Sequence, residues 1–378
     1  MPDITVYARN SSLSYVAQID FYEKLQWVDI YNFIGSPGGW SLTLNEGDTA
    51  TDYMRLNGSG ITILIDGTVA FSGYTTKIER QQTADVSQYI FSGVDDSGLL
   101  ASRVAHPQPG SAAPPYNSTA YDTRTGVCST ILRQYVAYNL GASATAARID
   151  PRVTSAADPA VGMSVTGNAR WQQLDALLNE LATQAGNVGY RIRQSGTNLE
   201  FQTFSPTDRT ATVIFSVENG TMQDYSYTSE AGSANYIYVG GGGEGTARTI
   251  KEGYDGDSIV RWTRKETFKD QRDTTDATTL SNSITEELNA GSDIASVTFQ
   301  PLDIPQQTYF THYQLGDKVT VVIDGVSFQE SIRQVECTLD QNGLTIIPTV
   351  ATPNNSDTLK LYDQIASQNK RIRLLERR

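Results

Sequence analysis

Two short stretches of this chain look like one hairpin written twice. GSGITILIDG at 58–67 aligns without gaps to GDKVTVVIDG at 316–325. Gly58, Thr62, Ile65, Asp66 and Gly67 recur as Gly316, Thr320, Ile323, Asp324 and Gly325. Ile61/Val319, Ile63/Val321 and Leu64/Val322 are conservative pairs. Each copy ends on Asp-Gly, the dipeptide that takes the positive φ values of a type I′ turn. Two explanations stand at this point. Hairpins of this kind resemble one another by chance, or the chain holds two related β-domains with other structure between them.

The flanking sequence is mostly strand-like. Residues 4–95 give ITVYA, YVAQI, LQWVDIY and WSLTL, then the Asp66-Gly67 hairpin, then TKIERQQ and SQYIFSGV. Short alternating runs at regular spacing predict a small barrel or sandwich. Four prolines in PQPGSAAPP, 107–115, interrupt it with a loop or linker. An α+β segment follows. Val127, Ile131, Leu132, Tyr135 and Val136 share a helical face that ends by Gly141. Trp171, Leu174, Leu177, Leu178, Leu181 and Ala185 form a second stripe, stopped by Gly186. GYRIRQSGTNLEFQTF then predicts a hairpin about Gly196. Beyond residue 210, strands return, including VRWTRKETF, with one amphipathic helix placing Leu280, Ile284 and Leu288 a turn apart behind an N-cap at Asp273.

The boundaries that follow are 1–105 for a first β-domain, 106–204 for an inserted α+β domain and 205–265 for strands that link or complete the first. Residues 266–350 make a second β-domain with one helix, and 351–378 a linker and terminal helix. In that helix Leu361, Ile365, Gln368, Ile372 and Leu375 alternate by four and three, the seam of a coiled coil, and are expected to join copies of the chain.

The search for chemistry is largely negative. YIYVGGGGEGTARTI, 236–250, contains a G-x-G-x-x-G at Gly240, Gly242 and Gly245, but TARTIKEG after it reads as strand. A phosphate loop needs a helix there to supply amide donors, so a strand-to-strand loop is expected and no nucleotide cofactor. His106 and His312, the only histidines, read as ordinary loop or surface residues with no zinc spacing. Asp95-Asp96 and Asp255-Gly256-Asp257 lack a full calcium-ligand series and read as turns. Glu286 and Glu287 are adjacent on one helix and cannot face each other across a cleft as glycosidase carboxylates do. Arg261, Trp262, Arg264 and Lys265 could form a stacking platform, although strand alternation explains them equally. Two cysteines, Cys128 and Cys337, exclude a disulfide framework and fit assembly in a reducing cytoplasm; Cys128 is expected to be buried and structural. No run of about 18 apolar residues occurs, so no membrane segment is expected. The net charge of −13 argues against a nucleic-acid-coating surface.

A collinear set of segments resembles one family. GGWSLTLN (38–45), FSGVDDSGLLASRVAHP (91–107), AYDTRTGVCSTILRQYVAYNLG (120–141), SPTDRTATVIFS (205–216), GGGGEGTARTIKE (240–252), FKDQRDTTDATTL (268–280) and YQLGDKVTVVIDG (313–325) are similar to the tail-tip hub proteins of long, non-contractile-tailed phages, especially of actinobacteria. The resemblance implies a mainly β chain with an α+β insert, built as two related tube-like β-barrel domains, two smaller accessory domains and a C-terminal helix. It further implies a non-enzymatic homotrimer at the distal tail tip of the virion. Its partners would be the distal tail protein or tail tube above, and a tape-measure protein, spike or fibre at the tip. Three copies of two barrels would continue a sixfold tube as a channel that DNA crosses without specific binding. Asp66, Gly67, Asp324 and Gly325 would mark equivalent turns of the two barrels. The competing function is a tail-tip adhesin or carbohydrate-binding receptor-recognition protein, since Tyr- and Trp-rich β proteins often take sugars.

Overall fold

The computed structural model describes residues 3–352 except 33–36, 85, 117, 187, 273 and 303. Two compact units emerge. The first holds the described residues of Met1–Arg209, Thr308–Lys318 and Ile332–Pro348; the second holds those of Thr210–Gln307, Val319–Ser331 and Thr349–Arg378.

In the first unit, strands β1 (Ile4–Arg9), β2 (Tyr15–Gln18), β3 (Lys24–Ile30), β4 (Gly39–Asn45), β5 (Gly60–Ile65), β6 (Thr68–Gln82) and β7 (Ser87–Asp95) pair in the order β2-β1-β5-β6-β7-β4-β3. All of these pairs are antiparallel. Residues Gln334–Leu339 of the strand Val326–Asp340 extend the sheet by pairing with β3. Alternation decides what faces inward, because successive side chains of a strand point to opposite faces. β3 buries Leu25, Trp27 and Asp29, and β4 buries Trp40, Leu42 and Leu44. Helix α1 (Thr49–Met54), which strand alternation gave no reason to expect, lies between β4 and β5.

The α+β part follows the short helix α2 (Gly98–Ala101). β8 (Asp122–Val127) pairs with β10 (Ser164–Ala169), and β9 (Val153–Ser155) runs parallel to β12 (Asn198–Phe204), itself paired with β11 (Gly189–Ser195). Helices α3 (Cys128–Asn139) and α4 (Leu174–Gln184) bring Ile131, Leu132, Tyr135, Val136, Leu174, Leu177, Leu178 and Leu181 into one core with Ile192 and Phe201. Gly186 terminates α4 at φ 88°. Two residues of the expected stripes fall outside. Val127 ends β8 and is exposed, and Trp171 precedes α4 with φ 67°.

The second unit contains β13 (Ile214–Ser216), β14 (Met222–Glu230), β15 (Tyr236–Gly240), β16 (Ile250–Tyr254), α5 (Gly256–Arg261), β17 (Glu266–Asp270), α6 (Ala277–Ala290), β18 (Ile294–Pro301) and β19 (Lys318–Ile323). β20 (Val326–Asp340) and β21 (Gly343–Thr352) contribute to both units. α5 corrects the strand expected through VRWTRKETF: Asp255 accepts from the amides of Asp257 and Ser258 and so starts a helical turn. α6 is capped by Asp276, which accepts from the Thr279 amide; Asp273, the cap read from the sequence, lies outside the described residues. It packs Leu280 and Ile284 on Ile237 and Val239 of the three-stranded sheet β16-β15-β17.

Strands β14 and β18 pair with each other. The strand order repeats. β1-β5-β6-β7-β4-β3 and β13-β19-β20-β21-β18-β14 are both the first, fourth, fifth, sixth, third and second strands of their sets, once β2 and β15–β17 are set aside. One step differs: β1 meets β5 antiparallel, whereas β13 meets β19 parallel. Neither path closes on itself among the described residues, where both belong to one 13-stranded sheet and no closed barrel is seen.

Candidate functional site

The two Asp-Gly turns have the same local geometry. β5 and β19 are six residues each, and the following strands β6 and β20 are fifteen each. Asp66 and Gly67 have φ of 49° and 75°; Asp324 and Gly325 have 50° and 79°. All four are positive, the type I′ pattern whose twist suits an antiparallel ribbon. The entry glycines also agree, with φ 76° at Gly58 and 92° at Gly316. Nothing lies within 4 Å of where a Cβ would stand on Gly67 or Gly325, so both tips are open. Their anchors differ. Asp66 accepts from the Asp3 amide at 2.9 Å, and Asp324 accepts from the Tyr225 hydroxyl at 3.3 Å.

A buried ionic cluster lies behind the first hairpin. Arg9 of β1 holds Asp96 at 2.5 and 2.8 Å, and Arg193 of β11 holds both oxygens of Asp29 at 2.6 and 2.7 Å. Arg193 also reaches Asp95 at 3.3 Å. Thr62, the repeated threonine of β5, donates to Gln194, which also accepts from Arg9. Ser72 links Asp96 to the Gln194 amide. Arg193 and Gln194 belong to the α+β part, so this network pins it to the first sheet. Burial drives the Asp95 carboxyl up to about 7; Asp29 and Asp96 add to that, and Arg193 opposes it. Burial also works against the Arg193 charge, but the carboxylates of Asp29 and Asp95 more than offset it and raise its pKa. Asp95-Asp96, expected to be turn residues, are thus buried counter-charges. One signal for this was present in the sequence: Asp29 sits at an inward position of LQWVDIY, where an unpaired charge would be costly.

The glycine-rich loop joins β15 to β16. The Gly241 and Gly242 amides donate to the carbonyls of Thr249 and Thr274 at 2.8 and 2.7 Å. Antiparallel β16 follows a single 3-10 turn at Gly245–Ala247, where a phosphate loop would open a helix. A Cβ on Gly241 would stand 2.9 Å from Leu280, so glycine there admits α6.

His106 lies in a loop, as read from the sequence, but is buried there rather than on the surface. It packs edge-on against Tyr116 and Trp171 at 4.6 and 4.5 Å, and its Nδ1 accepts from the Gln108 amide. Burial, then the Arg148 guanidinium, holds its pKa below the ordinary value. The His312 Nδ1 accepts from the Thr308 amide. No group of metal-ligating side chains occurs among the described residues. Cys128 is buried against the Leu181 carbonyl, and burial pushes its thiol up to about 11, so it is not a poised nucleophile. Arg264 lies 3.6 Å from the Tyr236 ring centre, and Trp262 donates to Asp293. Glu287 pairs with Lys269 at 3.0 Å on the surface of α6. No described helix is long and apolar enough to cross a membrane. Leu361, Ile365, Ile372 and Leu375 lie outside the described residues.

This arrangement of paired sheets, α+β insert and small helix-backed sheet is a phage tail protein fold. The 43 kDa tail protein of prophage MuSo2 from Shewanella oneidensis has 14% identity and a TM-score of 0.55, covering 95% of this chain and 100% of that one. The tail protein from Neisseria meningitidis MC58 has 12% identity and a TM-score of 0.55, covering 94% and 97%. The chain belongs to the Siphovirus ReqiPepy6 Gp37-like protein family, whose model matches residues 4–350. No curated protein matches it.

Proposed function

We propose that this protein is the structural hub of a siphovirus tail tip: a trimer whose six β-domains continue the tail tube and adapt it to threefold components below. Its place is the distal tail tip of the virion, and its role is architectural rather than enzymatic. The observation that carries this reading is the repeated strand order with its matched Asp-Gly turns. A protomer holding two like sheets gives six like units in a trimer, which a sixfold ring can meet face to face. Open sheets suit such a ring, because unpaired edge strands are templates for pairing with another chain. Membership of a siphovirus family and a fold shared with prophage tail proteins support it. The acidic chain suits a channel that DNA passes without being held, since attachment relies on basic groups displacing counterions.

Symmetry-resolved imaging of assembled tail tips tests the proposal. The Asp66 and Asp324 turns are expected at the same radius and alternating around one axis. A hub without threefold symmetry, or turns at different radii, overturns it.

A further inference from the structure

The repeated strand order carries a repeated register. In the first set Trp27 of β3 lies opposite Trp40 of β4, which lies opposite Gly93 of β7. In the second, Tyr227 of β14 lies opposite Val297 of β18, which lies opposite Val350 of β21. The hairpins that lead into β7 and β21 align these two rows. The Thr83 amide donates to the Val86 carbonyl, and Asp340 ends β20 the same three residues before Gly343 opens β21. Val86 to Gly93 and Gly343 to Val350 are then equal steps of seven residues. In that alignment residues 77–82 of β6 correspond to 334–339 of β20, and 225–230 of β14 to 25–30 of β3. The corresponding segments differ in their neighbours. Residues 334–339 pair with β3, and Val335, Cys337 and Leu339 are buried there. Residues 77–82 pair with β7 on one side, β5 pairs no further along β6 than Tyr74, and all six are exposed. β14, nine residues long, has only β18 beside it among the described residues. Each of these two edges therefore lacks the strand that its counterpart has.

We propose that β14 of one copy of this chain pairs antiparallel with residues 77–82 of the next copy, as β3 pairs with 334–339 within the chain. The inference rests on the hub reading above and supplies the joint between its subunits. A long strand edge with unpaired amides and carbonyls is a template for a strand of another chain. Carried across from β3 and β20, the register sets Glu230 opposite Lys77, Thr228 opposite Glu79 and Tyr227 opposite Arg80. The side chains suit that register. β14 carries Asp224 and Glu230 and no lysine or arginine, whereas 77–82 carries Lys77 and Arg80 against Glu79 alone. An opposite-charge pair and a guanidinium–aromatic pair thus meet across the joint, both favourable between strands. The joint also covers Ile78, which is 44% exposed although the corresponding Val335 is fully buried. Each copy offers one edge of each kind, so the contact is head-to-tail and repeats around a ring until it closes.

Cysteine cross-linking of the full chain tests it. Chains carrying Thr228→Cys are co-expressed with chains carrying Glu79→Cys, oxidised mildly and run on a non-reducing gel, with native mass measured on the same samples. Directly opposite residues of paired strands stand about 4.5–5.5 Å apart at Cα, within disulfide reach. A covalent dimer is expected from the co-expressed pair, at least about tenfold above either variant alone. Asp224→Cys in place of Thr228→Cys, four residues along β14, moves the thiol about 13 Å away and abolishes the dimer. Both substitutions in one chain are expected to give a covalent ladder that stops at three. Trimers that do not cross-link, or that cross-link equally between like variants or out of register, overturn the pairing and leave the hub reading standing. A ladder that runs past three supports the pairing and overturns the trimer. Monomer without cross-link overturns both.

Discussion

Behind β5 and β6, three carboxylates, Asp29, Asp95 and Asp96, share a buried space with two guanidiniums, Arg9 and Arg193. Arg191 also interacts with Asp29 and Asp95, and burial is the largest cause that raises the Asp95 carboxyl. That carboxyl is held to about 7 in the folded chain, against about 4 in an unfolded one. Between those values the folded state binds more protons, so stability falls as pH rises through this window. The contribution is complete below about 4 and lost above about 7. Asp95→Asn is expected to flatten this slope and to leave thermal stability at pH 7 equal or higher. Asp29→Ala, which removes the bidentate partner of a buried arginine, costs about 3–5 kcal/mol. Melting curves of both variants across that pH range check the pair. Equal losses for the two at pH 7 would show that Asp95 is held as an anion.

Each Asp-Gly element uses two consecutive left-handed residues in a two-residue turn. Gly67→Ala and Gly325→Ala meet no steric obstacle. Their cost is therefore conformational, about 1–2 kcal/mol each. Chemical denaturation of the single variants should give similar losses, because the two turns share their φ values. A loss in one and none in the other would separate the elements energetically despite their shared geometry. Gly93→Ala belongs to a different class. Its Cβ would stand 2.0 Å from the Tyr74 carbonyl oxygen and 2.6 Å from Trp40, so β7 would have to leave its place and soluble yield is expected to collapse.

For the whole molecule, the repeated strand order and the heptad pattern read in the sequence at 361–375 lead to one expectation about assembly. If the protein is the trimer proposed above, Ile365→Asp together with Ile372→Asp shifts native mass from trimer towards monomer while circular dichroism keeps its β signal. Buried charges at seam positions oppose helix association. An unchanged trimer would assign oligomerisation to the sheets alone. The same preparations should not retard duplex DNA in a gel at about 50 mM salt, where non-specific binders hold it most tightly.

Much of the secondary structure was legible because its periods are short. Alternation gave β1, β3 and β4; the stripes through Leu174–Leu181 and Leu280–Ile284 gave two helices; Asp-Gly and Gly196 gave the hairpins. These are decisions between neighbours, made by φ limits and by which face of an element is apolar. The identity of the glycine loop was legible too, from the strand that follows it. What the sequence did not contain was partnership. Whether β14 joins β1 or β18, whether Asp95 is a turn residue or a buried counter-charge, and whether Tyr254 stacks on Tyr236 depend on groups far apart along the chain meeting in space. Most strands, the longer helices and the repeated turn were already written in neighbouring residues, because local sterics act over a few residues. The repeated strand order and the buried ionic network came with the fold, because hydrogen-bond pairing and burial are properties of contacts that no single stretch encodes.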